Sequence, residues 1–173
     1  NSFILHISKS VNRGCIKNKY YLMRYKIFRF KRVKSTNNTA IRIIKETNCN
    51  FGMVISETQA KGKGQYGRKW ISLKGNLFVS FFNEFNKTRL KISTITKMNC
   101  ILVKRLLSKF TKKKISFKKP NDLFIDKKKI SGILQEVILI NDNKFLITGI
   151  GINITKNPNI RNYPATNLQE VTK

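Results

Sequence analysis

Apolar and basic side chains alternate from Tyr25 to Val33, the period of a half-buried strand. Ser35-Thr36-Asn37-Asn38 then offers cap oxygens ahead of Ala40, Ile41, Ile43 and Ile44, which predicts a helix to about Glu46, closed by Asn48-Cys49-Asn50. Gly52 to Glu57 reads as a short buried strand. Asn76 to Phe82 reads as an apolar strand entered through a Gly75-Asn76 turn. Between Leu90 and Phe110 a stripe of Ile95, Met98, Leu102, Leu106 and Phe110 recurs every three or four residues. It predicts a helix with that stripe in the core and Ser93 or Thr94 as its cap. Ile115–Phe117 is a short strand ahead of Pro120. Leu123–Ile125, Ile130–Ile140 and Phe145–Ile154 are three more, joined by turns at Asp126-Lys127 and Asn141-Asp142-Asn143. Beyond Pro158 the chain reads as loop as far as Pro164. There are no internal repeats and no low-complexity linker, and the order β-α-β-loop-β-α-β-β-β predicts an α+β sheet with helices packed on one face.

Residues 1–22 break this pattern: they hold no acid and no clear period, and the first methionine is Met23. They read either as upstream sequence translated in frame or as a short basic leader. They lack the amphipathic face or apolar stretch of a targeting signal, so a disordered extension is expected, with a folded domain over residues 23–173. The length of 173 residues is that of one domain with a real core. No apolar run approaches the about 18 residues of a membrane helix. Cys15, Cys49 and Cys100 are too few and too scattered for a disulfide framework or a cysteine-rich zinc site, and His6 is the one histidine, which disfavours a histidine-based metal site or triad. A cytoplasmic protein with no membrane partner is expected.

Against 36 Lys and Arg stand 8 Asp and Glu, a formal charge of +28. Such a surface speeds encounter with an acidic protein or a polyphosphate. It also raises the alternative of a basic nucleic-acid-binding module. Lysines outnumber arginines 27 to nine, and the abundance of Lys, Asn and Ile together is what AT-rich coding alone produces. Phe78, Phe81 and Phe82 read as strand core or rim rather than as stacking platforms. No specific nucleic acid is therefore expected as partner.

The segment richest in chemistry is Gln59 to Trp70, QAKGKGQYGRKW. Gly62, Gly64 and Gly67 free the backbone to bend and expose its N–H groups, while Lys61, Lys63, Arg68 and Lys69 add charge. This suits an anion, most simply a phosphate. It is not a P-loop, because no Gly-Lys-Ser/Thr ends it. Trp70 either stacks on a base or sits in the core.

This loop resembles the Gly-Arg-Gly-Arg-x-Gly-Arg-x-Trp signature of biotin protein ligases, and further matches follow in register. Ser35-Thr36-Asn37 follows the first strand. Lys118-Lys119-Pro120-Asn121-Asp122 is similar to that family's Lys-Trp-Pro-Asn-Asp, and Lys129-Ile130-Ser131-Gly132-Ile133-Leu134-Gln135-Glu136 to its Lys-x-x-Gly-Ile-Leu-x-Glu. Gly149-Ile150-Gly151-Ile152-Asn153 and Ala165-Thr166-Asn167-Leu168 complete the resemblance, which covers about residues 25–170. It implies a central mixed β-sheet of the kind shared with lipoate ligases and class II synthetases. It implies an ATP-dependent ligase that makes biotinyl-5′-AMP and passes biotin to a lysine of a carboxylase's biotin carboxyl carrier domain, with Mg2+ on the polyphosphate. A lipoate ligase or acyltransferase of the same fold is the alternative within enzymes. No helix-turn-helix precedes Tyr25, so no repressor role is expected. The family's small C-terminal domain is expected to be absent or truncated.

Carried over by position, Ser35, Thr36 and Asn37 would meet the biotin ring system. The same three also read as a plain helix cap. Gln59 resembles a ureido-ring partner. Lys63, Gly64 and Gln65 would wrap the biotin carboxylate and the adenylate phosphate. Arg68 would contact the ATP phosphates, with Asn121, Asn153 and Trp70 on the nucleotide. Lys129 would bridge carboxylate and α-phosphate, as catalytic residue beside Arg68, and Gly132 would keep the wall flat beneath the biotin tail. Asp122 is a conceivable base toward the acceptor amine, and no protein metal ligands are expected. Two departures stand out: Gln65 occupies the position of an arginine, which implies a weaker hold on the adenylate, and Lys119 that of a tryptophan.

Overall fold

The computed structural model describes residues 25–47, 49–86, 90–160 and 163–172. The extension expected at residues 1–22 and its boundary at Met23 lie outside them. The described elements are β1 (Lys26–Val33), α1 (Thr36–Glu46), β2 (Phe51–Gln59), β3 (Leu77–Glu84), α2 (Ile92–Leu107), β4 (Ile115–Lys118), β5 (Asp122–Ile125), β6 (Lys128–Ile140), β7 (Asn143–Ile152) and the single turn α3 (Leu168–Val171). The seven strands form one sheet in the order β1-β2-β3-β7-β6-β5-β4. β1 and β2 run parallel, joined through α1, and every other neighbour is antiparallel. The sheet is therefore mixed and the class α+β.

The antiparallel half is built from tight hairpins. Asp126-Lys127 and Asn141-Asp142 both take positive φ at two successive residues, the backbone that matches strand twist in a two-residue hairpin. Asp and Asn tolerate that conformation better than other non-glycine residues, which is why these turns are legible without a glycine.

The two long helices lie on opposite faces of the sheet, not on one face as expected. α1 packs Ala40, Ile43 and Ile44 against Val54, Phe82, Phe145 and Ile147. α2 meets β5 and β6, and its Cys100, Val103 and Leu107 share a core cluster with Leu123, Ile125, Ile130 and Ile133 that extends to Leu77, Val79 and Ile152. Val54 is flanked by Met53 and Ile55, which belong to the second cluster, as Phe82 is by Phe81, so the clusters take alternate strand positions. Element order says which strands a helix connects, but not which face it returns over.

The stripe proposed for α2 is also rotated. Thr96, Cys100, Val103 and Leu107 are its buried side, while Met98 and Leu102 are exposed and Ile95, Leu106 and Phe110 half-buried. Both sets have helical spacing, and apolar residues occupy most of this helix's circumference, so period alone does not choose the face. The smaller Thr96 and Cys100 sit where the helix meets the sheet. The helix begins at Ile92, with Lys91 rather than Ser93 or Thr94 in the cap position, and no side chain caps it. Among the described residues no helix is long and apolar enough to cross a membrane.

Candidate active site

On the α1 face the helix covers only part of the sheet. Toward the C-terminal end of β7 the strand positions on this face are Gly149 and Gly151, paired across to Leu134 and Gly132 of β6. The bare backbone lets Asn37 lie against Gly149 and Trp70 against Gly151 and Gly132, and all five line a cavity of about 720 Å³. That volume suits a cofactor-sized ligand.

One wall is the first turn of α1. Ser35, Thr36 and Asn37 are all buried, yet Ser35 makes no side-chain capping bond. The polar groups of Thr36 and Asn37 join a lateral network instead. Thr36 donates to Gln59 Oε1 through its backbone N–H at 2.8 Å and its hydroxyl at 3.1 Å, and Gln59 Nε2 donates to Ser72 Oγ at 3.1 Å. Ser80 Oγ lies 2.7 Å from Thr36 Oγ1 and hydrogen-bonds Asn37 Oδ1, while Asn37 Nδ2 donates to Glu136 Oε2 at 2.7 Å. The plain helix-cap reading of this segment is thus not what its side chains do.

The roof is the glycine loop, closed on itself as a small flap. Gly64 N–H donates to the Arg68 carbonyl at 2.7 Å, Trp70 N–H to the Gly62 carbonyl at 2.9 Å, and Lys63 bridges to Lys69. Gly62 is needed for close approach, since a Cβ there would lie 2.4 Å from the Trp70 carbonyl oxygen. The tip is a short 3-10 turn, Gln65–Gly67, in which Tyr66 is fully out in solvent with φ of 55°. Lys63 Nζ donates to Asn38 Oδ1 at 2.7 Å and sits 3.9 Å from Glu136 Oε1, which ties the flap to α1 and β6.

The opposite wall carries the strongest electrostatic feature. Lys127 and Lys128 are exposed on the hairpin, but Lys129 turns inward, anchored by its N–H to the Pro164 carbonyl at 2.9 Å. Its ammonium pairs with Asp122 Oδ1 at 2.8 Å, the two side chains being 17% and 12% exposed. It stands 5.2 Å from the ring centroids of both Trp70 and Tyr163. Tyr163 donates its phenolic O–H to Asp122 Oδ2 at 2.7 Å. Burial, that hydrogen bond and the Asp122 charge push the Tyr163 phenol up to about 12, against the opposing charge of Arg68. Asp122, the conceivable base, therefore has both oxygens engaged.

All of the proposed site residues line this one cavity: Ser35, Thr36, Asn37 and Gln59 from one side; Lys63, Gly64, Gln65, Arg68 and Trp70 from the flap; Asn121, Lys129, Gly132 and Asn153 from the sheet. Asn121 is also a structural clasp, its Nδ2 donating to the Ile133 carbonyl at 2.7 Å. Asn153 is buried and donates to the Thr166 carbonyl at 3.1 Å. Asn153 Oδ1, Trp70 Nε1 and Asp122 Oδ1 are buried without a hydrogen-bond partner among the described residues, Asp122 Oδ1 being held by its ion pair with Lys129 alone. Lys119, standing where the motif has tryptophan, lines the cavity beside Lys118. Ser80, Gly149, Gly151 and Tyr163 carry no role in the sequence reading, although Gly149 and Gly151 belong to its Gly-Ile-Gly-Ile-Asn match. A lone serine inside an apolar strand and glycines at alternate strand positions were readable signals for the first three. Tyr163 carries none.

The biotin/lipoate A/B protein ligase family model matches residues 29–153. Among curated proteins, the bifunctional ligase/repressor BirA of Escherichia coli is 33% identical over 102 residues, 58% of this chain and 32% of that protein. The solved biotin protein ligase from Aquifex aeolicus in complex with biotin and ATP is 34% identical with a TM-score of 0.69, over 85% of this chain and 61% of that one. The Leishmania major biotin protein ligase in complex with biotinyl-5-AMP is 25% identical with a TM-score of 0.71, over 85% and 64%. The chain thus spans about a third of that curated relative's length and less than two thirds of each of these solved chains. With the mixed sheet, the cavity and the matched segment in agreement, the chain belongs to the biotin/lipoate A/B protein ligase family.

Proposed function

We propose that this chain activates biotin with ATP and transfers it to a lysine of a biotin carboxyl carrier domain. In the first step a biotin carboxylate oxygen bonds to the α-phosphorus, the bond to the β-phosphate oxygen breaks, and pyrophosphate leaves. In the second the acceptor amine bonds to the acyl carbon of biotinyl-5′-AMP, AMP leaves, and the amine loses a proton. Both substrates of the first step are anions, so the site must offset their repulsion and the charge that develops on the leaving group. The observation that carries this reading is the convergence of the Lys129 ammonium and the cationic flap of Lys63 and Arg68 on one cavity.

The first-turn network of α1 supplies neutral donors and acceptors suited to a ureido ring, with Gln59 orienting Thr36. Lys129 is suited to bridge carboxylate and α-phosphate, and Arg68 to hold the outgoing phosphates. The unpaired Asn153 Oδ1 and the Trp70 ring are suited to an adenine amine and face. Closing the flap excludes water from a mixed anhydride. Among the described residues no group of three His, Cys, Asp or Glu forms a metal site, so Mg2+ would arrive on the polyphosphate and take its oxygens there, neutralising charge. A cytoplasmic setting belongs to this reading: ATP is supplied there, and Cys49 and Cys100 are free thiols.

Incubation with labelled biotin, ATP and Mg2+ tests the proposal. Biotinyl-5′-AMP is the expected product, and biotin, not lipoate, raises the thermal midpoint. A folded chain that yields no adenylate overturns it; adenylation of lipoate instead reassigns the substrate.

A further inference from the structure

The Tyr163 ring has an ammonium group near it from two residues: Lys129 Nζ at 5.2 Å from its centroid and Lys118 Nζ at 5.6 Å. Its hydroxyl serves a third group, Asp122 Oδ2, at 2.7 Å, while the other oxygen of that carboxylate holds Lys129 at 2.8 Å. Tyr163 therefore touches both members of the ion pair at the heart of the cavity.

We propose that Tyr163 is a positioning residue that frees Lys129 from Asp122 for use by the two anionic substrates. This rests on the ligase reading above. Asp122 neutralises Lys129 across the 2.8 Å ion pair. For Lys129 to bridge a carboxylate and an α-phosphate, its bond to Asp122 must loosen, and a shielded carboxylate left with no partner is costly. The Tyr163 hydroxyl gives Asp122 a second strong donor, which lowers that cost. The ring meanwhile offers the Lys129 ammonium a favourable contact that does not depend on Asp122. The phenol remains protonated far above neutral pH, so the donor is always present. With the hydroxyl removed, Asp122 competes harder for Lys129, and the chemical step slows while biotin binding does not change.

Single-turnover adenylate formation in wild type, Tyr163→Phe, Tyr163→Leu, Asp122→Asn and the Asp122→Asn/Tyr163→Phe double variant tests this. The expected result is about a tenfold lower kcat in Tyr163→Phe with KM for biotin within about twofold, a hydrogen bond to a charged group being worth that much. Tyr163→Leu, which lacks the ring as well, falls further. In the Asp122→Asn background the phenylalanine change costs nothing more, because the hydroxyl acts through Asp122. Wild-type kcat in Tyr163→Phe, or full additivity in the double variant, overturns the role. So does a Tyr163→Leu defect that vanishes once rates are corrected for the folded fraction seen in the thermal midpoint. An inactive wild type removes the ligase reading and this role together; an active wild type with an unaffected Tyr163→Phe removes this role alone.

Discussion

Trp70 lies directly on Gly151: a Cβ built on that glycine would stand 2.6 Å from both Cε2 and Cζ2 of the indole. Gly132, paired with Gly151 across the ladder, is in the same position toward Cζ3 at 2.9 Å. The indole at the end of the flap thus rests on a patch of bare backbone shared by two strands. The flap reaches the sheet because those two positions have no side chain.

Substituting Gly151 by valine is therefore expected to lift Trp70 and open the flap. The overpacking costs about 1–3 kcal/mol of stability, and the larger effect is on nucleotide binding, with KM for ATP raised and KM for biotin less affected. Trp70 is the sole tryptophan, so its fluorescence reads the displacement directly. An emission spectrum and an ATP KM identical to wild type contradict this account.

Lys129→Ala is expected to abolish adenylate formation and also to destabilise the fold. Removing one member of a shielded pair leaves Asp122 uncompensated, a loss of about 3–5 kcal/mol. Adding Asp122→Asn to Lys129→Ala removes the stranded charge and is expected to recover much of the urea midpoint without recovering turnover. That separation of stability from activity is the diagnostic result. A Lys129→Ala chain that turns over normally takes Lys129 out of the chemistry.

How far the sequence reached depends on which physical signal each feature leaves. Strand alternation at Tyr25–Val33 and the Asp-Lys and Asn-Asp turns are local, and the hairpins follow from them. The face taken by α2 is not local. Its apolar residues surround much of the helix, and the sheet chooses among them by fit, so Thr96 and Cys100 are buried and Met98 and Leu102 are not. Lys129 stood among three lysines of equal appearance. What distinguishes it is its backbone link to Pro164 and its pair with Asp122, contacts across 35 and seven residues of chain that no spacing records. Tyr163 reaches the site from a stretch that reads only as loop.

Gln65 sits at the flap tip and lines the cavity where the resemblance expects arginine. An amide there supplies hydrogen bonds but no charge toward a phosphate. Gln65→Arg is expected to slow the escape of biotinyl-5′-AMP several-fold, at about 1 kcal/mol for one added cation at a partly exposed site. Filter retention of labelled adenylate, followed in time, measures it. Unchanged release assigns retention to Lys63 and Arg68 alone.

Stability at alkaline pH is the last quantity the site determines. Burial and the bond to Asp122 raise Tyr163 from 10.0 to about 12, and burial with the Asp122 charge raises the Cys100 thiol from 9.0 to about 11. Both groups are neutral when protonated, so the folded chain holds these protons more tightly than the unfolded chain does. Between pH 9 and 12 the unfolded state is thus the one with fewer protons bound, and stability must fall as pH rises. The stabilisation is complete below the unfolded values of 9.0 and 10.0 and is lost through 11 and 12. Tyr163→Phe removes the upper part of this dependence, so the urea midpoint of the variant should decline less steeply above pH 10 than that of wild type. Parallel curves for the two across that range contradict the assignment of a shielded, hydrogen-bonded phenol at residue 163.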